Sequence, residues 1–209
     1  MNRKIALGLV AFSMVAGAGF GFVMNQANDQ PAQADEANSA KPTASSPTPT
    51  PALSNDDLVV SPGRIGPITI GMPVADALAT GLIVRDTERE DVCGGEFYRW
   101  KDDTANSSMD VAFDPQERVA TMGVSRGGYP TDKGARVGDR LSTLEEVYGA
   151  DLSKPTEAGY GQSGVFVHDG DRWLGFLFDE TVGEINETSR VTFMEVAEGE
   201  APGLMRDGC

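Results

Sequence analysis

"RVATMGV" (Arg118–Val124) returns 72 positions later as "RVTFMEV" (Arg190–Val196), with Arg, Val, Met and Val in the same places. Reading outward tests whether one unit is written twice. "VAFD" (Val111–Asp114) answers "FLFD" (Phe176–Asp179), and "EFYRW" (Glu96–Trp100) answers "VFVHD" (Val165–Asp169). Further up, "ITIGMPVADALATG" (Ile68–Gly81) answers "ARVGDRLSTLEEVYG" (Ala135–Gly149). The order is kept throughout, at offsets of 65 to 72. Self-similarity at a near-constant period is the mark of a repeat architecture.

Val74, Ala77 and Leu78 fall at i, i+3, i+4, which puts one apolar stripe on a short helix. Leu141, Leu144, Val147 and Tyr148 do the same. Gly81 and Gly149 follow these stripes, where a left-handed residue often ends a helix. Pro73 suits a first turn, and Ser142 or Asp139 is placed to cap the second helix, Ser142 with Glu145 at capping-box spacing. Met109, Val111 and Phe113 alternate with polar or small residues, as do Leu174, Phe176 and Phe178, which predicts strands. "DPQER" (Asp114–Arg118) and "GDR" (Gly170–Arg172) read as the turns between them. The expected fold class is therefore α+β. It consists of two tandem repeats, each a short helix followed by a three-stranded antiparallel meander, with a leading strand over Arg64–Ile70. Repeat 1 is expected over 58–127, and repeat 2 with a C-terminal tail over 128–209, with Gly127 and Gly128 as the joint.

The N-terminus is of another kind. Arg3 and Lys4 precede an uncharged run, Ile5–Met24. Its length matches the roughly 20 residues that span a bilayer, but it is rich in Ala and Gly. Two readings of residues 1–26 stand side by side. One is a retained anchor through 5–24 with its N-terminus inside; the other is a signal peptide cleaved near Ala34. Either way the rest of the chain is exported. Residues 27–57 are rich in Ala, Pro, Ser and Thr and poor in large apolar groups, so they read as a disordered stalk. Residues 1–51 carry three charges of each sign, so the net charge of −15 falls on the remainder. That excess opposes binding to nucleic acid or to anionic membrane surfaces, and leaves the N-terminal segment as the only membrane contact.

Two cysteines, Cys93 and Cys209, read as a disulfide in an exported chain. The bond would close a loop of about 116 residues, for about 4–5 kcal/mol on chain-entropy grounds. Two Cys and the single His168 do not fill a zinc shell without carboxylates, and no cofactor or metal is expected.

The opening "ITIGMPVADAL" and its second copy "ARVGDRLSTLEEVYG" resemble the helix-then-meander units of the β-lactamase-inhibitor protein. Similar units occur in the small lipoproteins of the outer-membrane barrel-assembly machinery and in exported actinobacterial proteins. The resemblance covers roughly 65–196. It implies a non-catalytic protein-binding module and carries over no functional residue.

Enzymatic readings are weaker. A triad would have to use His168 with Ser163 and Asp169, but "GQSGV" lacks the elbow that exposes a nucleophile. Acid pairs such as Asp169 with Asp171, Asp179–Glu180 and Glu145–Glu146 are expected by chance in a chain with 32 Asp and Glu. Alternation sends Trp173 and Leu177 away from the core-facing residues of their strand, and Tyr98 and Trp100 to a matching face of the first repeat. These four are the candidate binding face. The expectation is a tethered, non-enzymatic module that binds an extracytoplasmic protein or an envelope component. The alternatives are a cell-envelope hydrolase using paired carboxylates, and a structural envelope protein with no ligand. The acidic stretch "ETVGEINETS" (Glu180–Ser189) distinguishes the second unit from the first and is a further place to look.

Overall fold

The computed structural model describes residues 58–93, 96–102, 108–126 and 128–204. In chain order the strands are β1 (Val60–Ser61), β2 (Arg64–Ile65), β3 (Ile68–Thr69), β4 (Ile83–Arg85), β5 (Tyr98–Trp100), β6 (Ser108–Phe113), β7 (Val119–Arg126), β8 (Thr156–Glu157), β9 (Ser163–Asp169), β10 (Arg172–Phe178) and β11 (Val191–Glu198). The helices are α1 (Val74–Ala79), α2 (Thr87–Cys93) and α3 (Leu141–Tyr148), with a 3₁₀ turn at Gly149–Asp151.

β10 is buried along most of its length and sits near the middle of the main sheet. Leu174, Phe176 and Phe178 point to one face and Trp173, Gly175 and Leu177 to the other, as strand alternation requires. The sheet is antiparallel at every pairing and runs β6-β7-β11-β10-β9-β8. On its first face, Val165, Val167, Leu174, Phe176, Met194, Val196, Met122 and Val124 form the main core. Ala77 of α1 and Leu141, Leu144 and Tyr148 of α3 pack into the same core. Burial pushes the Tyr148 hydroxyl up to about 12, against the lowering effect of its 2.8 Å bond to the Thr131 hydroxyl.

The expected fold class is corrected here. Over the described residues the chain is mainly β, with three sheets and three short helices, and two helix-plus-meander repeats do not form. β5, expected to open the first meander, pairs instead with β4 in a separate two-stranded sheet. The leading strand expected over Arg64–Ile70 is broken at Gly66 into β2 and β3, which join β1 in a three-stranded sheet. α2 stands between β4 and β5, where no helix was expected. The remaining strands pool into one six-stranded sheet because β7 and β11 pair with each other. Their register is Met122↔Val196, Gly123↔Glu195 and Val124↔Met194. The physical reason is edge satisfaction. A meander standing alone would leave its closing strand with unpaired backbone groups, and pairing two such edges removes both while joining their apolar faces.

The two stretches that match in sequence therefore lie side by side at the middle of the sheet. Both are tied in the same way to the segment that leads into a helix. Val119 N–H donates to Met72 O and Val191 N–H to Asp139 O, each at 2.9 Å. The Arg118 and Arg190 guanidinium groups donate to Gly71 O (2.8 Å) and Gly138 O (2.6 Å). The turns just before these strands also serve the helix starts. Val74 N–H donates to Glu117 O and Leu141 N–H to Ser189 O. Neither α1 nor α3 has a side-chain cap, and the α3 cap position is Arg140, not Ser142 or Asp139. Backbone carbonyls of the partner turn do that work, which removes the need for a capping box.

Close approach at the seam requires glycine. A Cβ built on Gly123 would land inside the Phe193 ring. Gly123→Ala is expected to lower stability by about 1–3 kcal/mol through this overpacking. In urea unfolding, Phe176→Ala on the first face is expected to cost about 3–5 kcal/mol.

Candidate functional site

The expected aromatic face is not assembled. Trp100 is 2% exposed and sits in the main core. Leu177 is buried on the second sheet face with Ala158, Phe193 and Leu204. Trp173 is half-buried, with its ring 4.7 Å from that of His168 and 6.5 Å from that of Phe166. Tyr98 is half-buried, edge-on to Phe113 at 4.9 Å, with its hydroxyl donating to Glu96; burial raises its pKa above the ordinary value. Two tertiary facts divide these four residues. β5 left the main sheet, and the second face acquired a roof at Leu204. Both lie beyond strand alternation.

The nucleophile reading also separates. Ser163 and His168 lie five positions apart on one strand, so they face opposite sides of the sheet. Ser163 is fully buried, and His168 is exposed with Nδ1 3.2 Å from Gly170 O. Among the described residues, no group of three or more His, Cys, Asp or Glu is placed to hold a metal. A cleft of about 360 Å³ is lined by Arg85, Asp86, Thr87, Glu88 and Arg99. Its Arg85 is committed to Glu90 at 2.6 Å and Glu96 at 3.3 Å. The hydrogen bond from Arg85 holds the Glu90 carboxyl below the usual range. Two acids line this cleft, Asp86 and Glu88, two positions apart at the start of α2. The side chain of Cys93 and all of Cys209 lie outside the described residues, as do residues 1–57.

What the fold does present is one end of the main sheet, where the β8–β9 turn meets the β10–β11 loop. Gly159, Tyr160 and Gly161 are left-handed in succession, with φ of 81°, 50° and 76°. Two backbone bonds hold this turn, Ala158 N–H to Gln162 O and Gln162 N–H to Gly159 O. Glycine adopts this conformation without a steric penalty, whereas for tyrosine it costs roughly 1–2 kcal/mol. The strained tyrosine is nevertheless 83% exposed, with its ring directed into solvent. The amide of Gln162 donates to Asp179 Oδ1 at 2.9 Å and joins the turn to the neighbouring loop.

That loop, Glu180–Ser189, is ordered by its own side chains. Thr181 Oγ1 donates to Glu184 Oε2 at 2.8 Å, and Ser189 Oγ accepts from Asn186 N–H at 3.1 Å. Val182, 46% exposed, sits on it among Glu180, Glu184 and Glu187. Tyr160 and Val182 are two of the three large hydrophobics that stand exposed among the described residues; the third, Val92, lies on α2. The acidic loop was a place to look from sequence, but Tyr160 was missed. Its signal was a tyrosine between two glycines in "AGYGQ".

No family model matches the chain, and no curated protein matches it in sequence. Among solved structures it is similar to the uncharacterized protein yfeY from Escherichia coli, with a TM-score of 0.44 and 16% identity, over 67% of this chain and 99% of that one.

A tyrosine that serves presentation and not packing should be replaceable without loss of stability. Tyr160→Asn, which tolerates the left-handed region better, is expected to leave unfolding free energy unchanged or to raise it by up to about 1 kcal/mol. A loss of several kcal/mol in thermal or urea unfolding would show instead that the ring is structural.

Proposed function

We propose that this chain is an exported, non-catalytic binding module, held off a membrane by its N-terminal stalk. It acts on an extracytoplasmic protein or an envelope component. The observation that carries the reading is Tyr160, a large aromatic side chain held in solvent by a turn that is strained for it. Strain of this kind concentrates at ligand-contacting sites, and tyrosine is enriched among the residues that dominate binding interfaces. Val182 on the adjoining loop adds apolar area, and the same loop carries the acids Glu184 and Glu187. A partner that suits this end carries an apolar recess bordered by Lys or Arg.

The test is photo-crosslinking in the living cell from a probe at position 182, with Tyr160 either intact or replaced by Ala. A discrete adduct that disappears with Tyr160→Ala is expected. No adduct under several growth conditions, or one indifferent to Tyr160, would count against the reading.

The export half of the proposal carries a covalent consequence. Cys93, at the end of α2, and Cys209 form a disulfide in the exported protein. Peptide maps made with and without reductant are expected to differ by one Cys93–Cys209 peptide. Recovery of both thiols free would refute it.

A further inference from the structure

The second face of the main sheet is closed by the end of the described chain. After β11 the backbone turns at Gly199 (φ 85°), whose N–H donates to Asp171 O at 2.8 Å. The chain then returns over the sheet as Glu200–Leu204, outside any strand. It is seated at Leu204, which is 1% exposed. A Cβ at Gly164 would overlap the Leu204 side chain, and one at Gly175 would sit 3.0 Å from it. Phe166, Leu177 and Phe193 form the surrounding apolar cluster. The two glycines are thus a shallow cradle cut to take one leucine.

The polar half of the contact is a carboxyl group. Leu204 N–H donates to Glu195 Oε2 at 2.7 Å, and Glu195 is 7% exposed. It lies in the cross-strand row Asp110–Gly123–Glu195–Gly175–Phe166. The Thr121 hydroxyl is its other partner. Among the described residues it forms no ion pair with Lys or Arg. The charge that faces it is another acid, Asp110 of β6, which has partners of its own. β7 presents Thr121, Gly123 and Ser125 on this face, and β10 presents Trp173, Gly175 and Leu177; none of these ionises near neutrality. β9 presents Phe166 and the exposed His168, which lies against Trp173. The segment itself contributes the exposed Glu200. A carboxyl group sealed from water and facing a second acid, with no ion pair among the described residues, favours the protonated form.

We propose that Gly199–Leu204 is a proton-linked strap: Glu195 takes up a proton as Leu204 seats in the Gly164–Gly175 cradle and gives it up as the segment lifts. Desolvation raises the Glu195 pKa above its ordinary value, outweighing the lowering by the Leu204 N–H and the Thr121 hydroxyl. With the strap lifted, water reaches the carboxyl and the ordinary value returns. The seated state therefore binds the proton more tightly. Seating is fully favoured below the ordinary glutamate range and weakens as pH rises through the raised value.

The test is amide exchange of the full chain by NMR, from about pH 4 to about pH 8, corrected for intrinsic exchange. Between the ordinary glutamate range and the raised Glu195 midpoint the protection of the Leu204 amide is expected to fall by up to about tenfold per pH unit, the slope of one linked proton, and to level off above that midpoint. In Glu195→Gln it should be flat, and the Phe176 amide in the core should not follow. Leu204→Ala should move the Glu195 carboxyl midpoint, read from its ¹³C shift, down toward the ordinary range, because linkage is reciprocal. A flat profile in the parent chain, a slope that persists in Glu195→Gln, or a Phe176 amide with the same slope would overturn the proposal. If Glu195→Gln does not fold, the parent chain decides alone: a Leu204 protection that falls up to the carboxyl midpoint and levels off there supports the strap, and one that levels off elsewhere overturns it.

Discussion

The pairing of β7 with β11 is the contact on which the rest of the structure depends. Each strand closes the chain segment before it, and each would otherwise be a bare edge. Joined at Gly123↔Glu195, they turn two short groups of strands into one sheet with a continuous apolar face. α1 and α3 then pack on that face, and the turns before β7 and β11 accept from the first backbone N–H groups of the two helices. The end of the Phe193 ring lies against Gly123, so the seam is held by ring packing as well as by backbone bonds. The missing side chain at Gly123 is thus part of the design of the sheet centre.

The same constraint gives the second face its character. A sheet with one face under two helices still has another to cover, and among the described residues no helix lies on it. Three glycines, Gly123, Gly164 and Gly175, keep that face shallow and let Phe193, Phe166 and Leu204 lie close to the backbone. The roof is thin and ends on the buried carboxyl of Glu195. The outward-facing chemistry lies elsewhere, at the sheet end with Tyr160 and the acidic loop. The main buried core and the exposed Tyr160 thus occupy separate parts of the molecule. An exposed tyrosine in a left-handed turn is tolerated because the core beneath does not depend on it.

How much could be read in advance varied with the range of the interactions involved. The stripes of Val74–Leu78 and Leu141–Tyr148 placed α1 and α3, because a helix face is set by residues three and four apart. Alternation placed β10, and the Asp114 and Gly170 turns fell where their residues put them. The four-residue aromatic face failed for the opposite reason. Which way a side chain points from a strand is local, but whether that side is open depends on what arrives from far along the chain. Trp100 was removed by the partnership of β5 with β4, and Leu177 was covered by Leu204. The helix caps failed in the same way, since the carbonyls of Glu117 and Ser189 reached α1 and α3 before any side chain was needed.

The sequence by itself determined the periodic pieces: two amphipathic helices, the alternating strands with their turns, and the kinship of Arg118–Val124 with Arg190–Val196. It also determined the acidic balance of the chain beyond its first 51 residues. Only the tertiary structure decided that the two kindred strands pair with each other, that β5 leaves the sheet, and that Leu204 closes the second face. It also decided that Tyr160 stands in solvent. The division follows from the physics. Periodicity and turn chemistry act over a few residues, whereas pairing an edge and burying a face are decided between segments far apart in the chain, by whichever partner satisfies the most backbone groups and removes the most apolar surface from water.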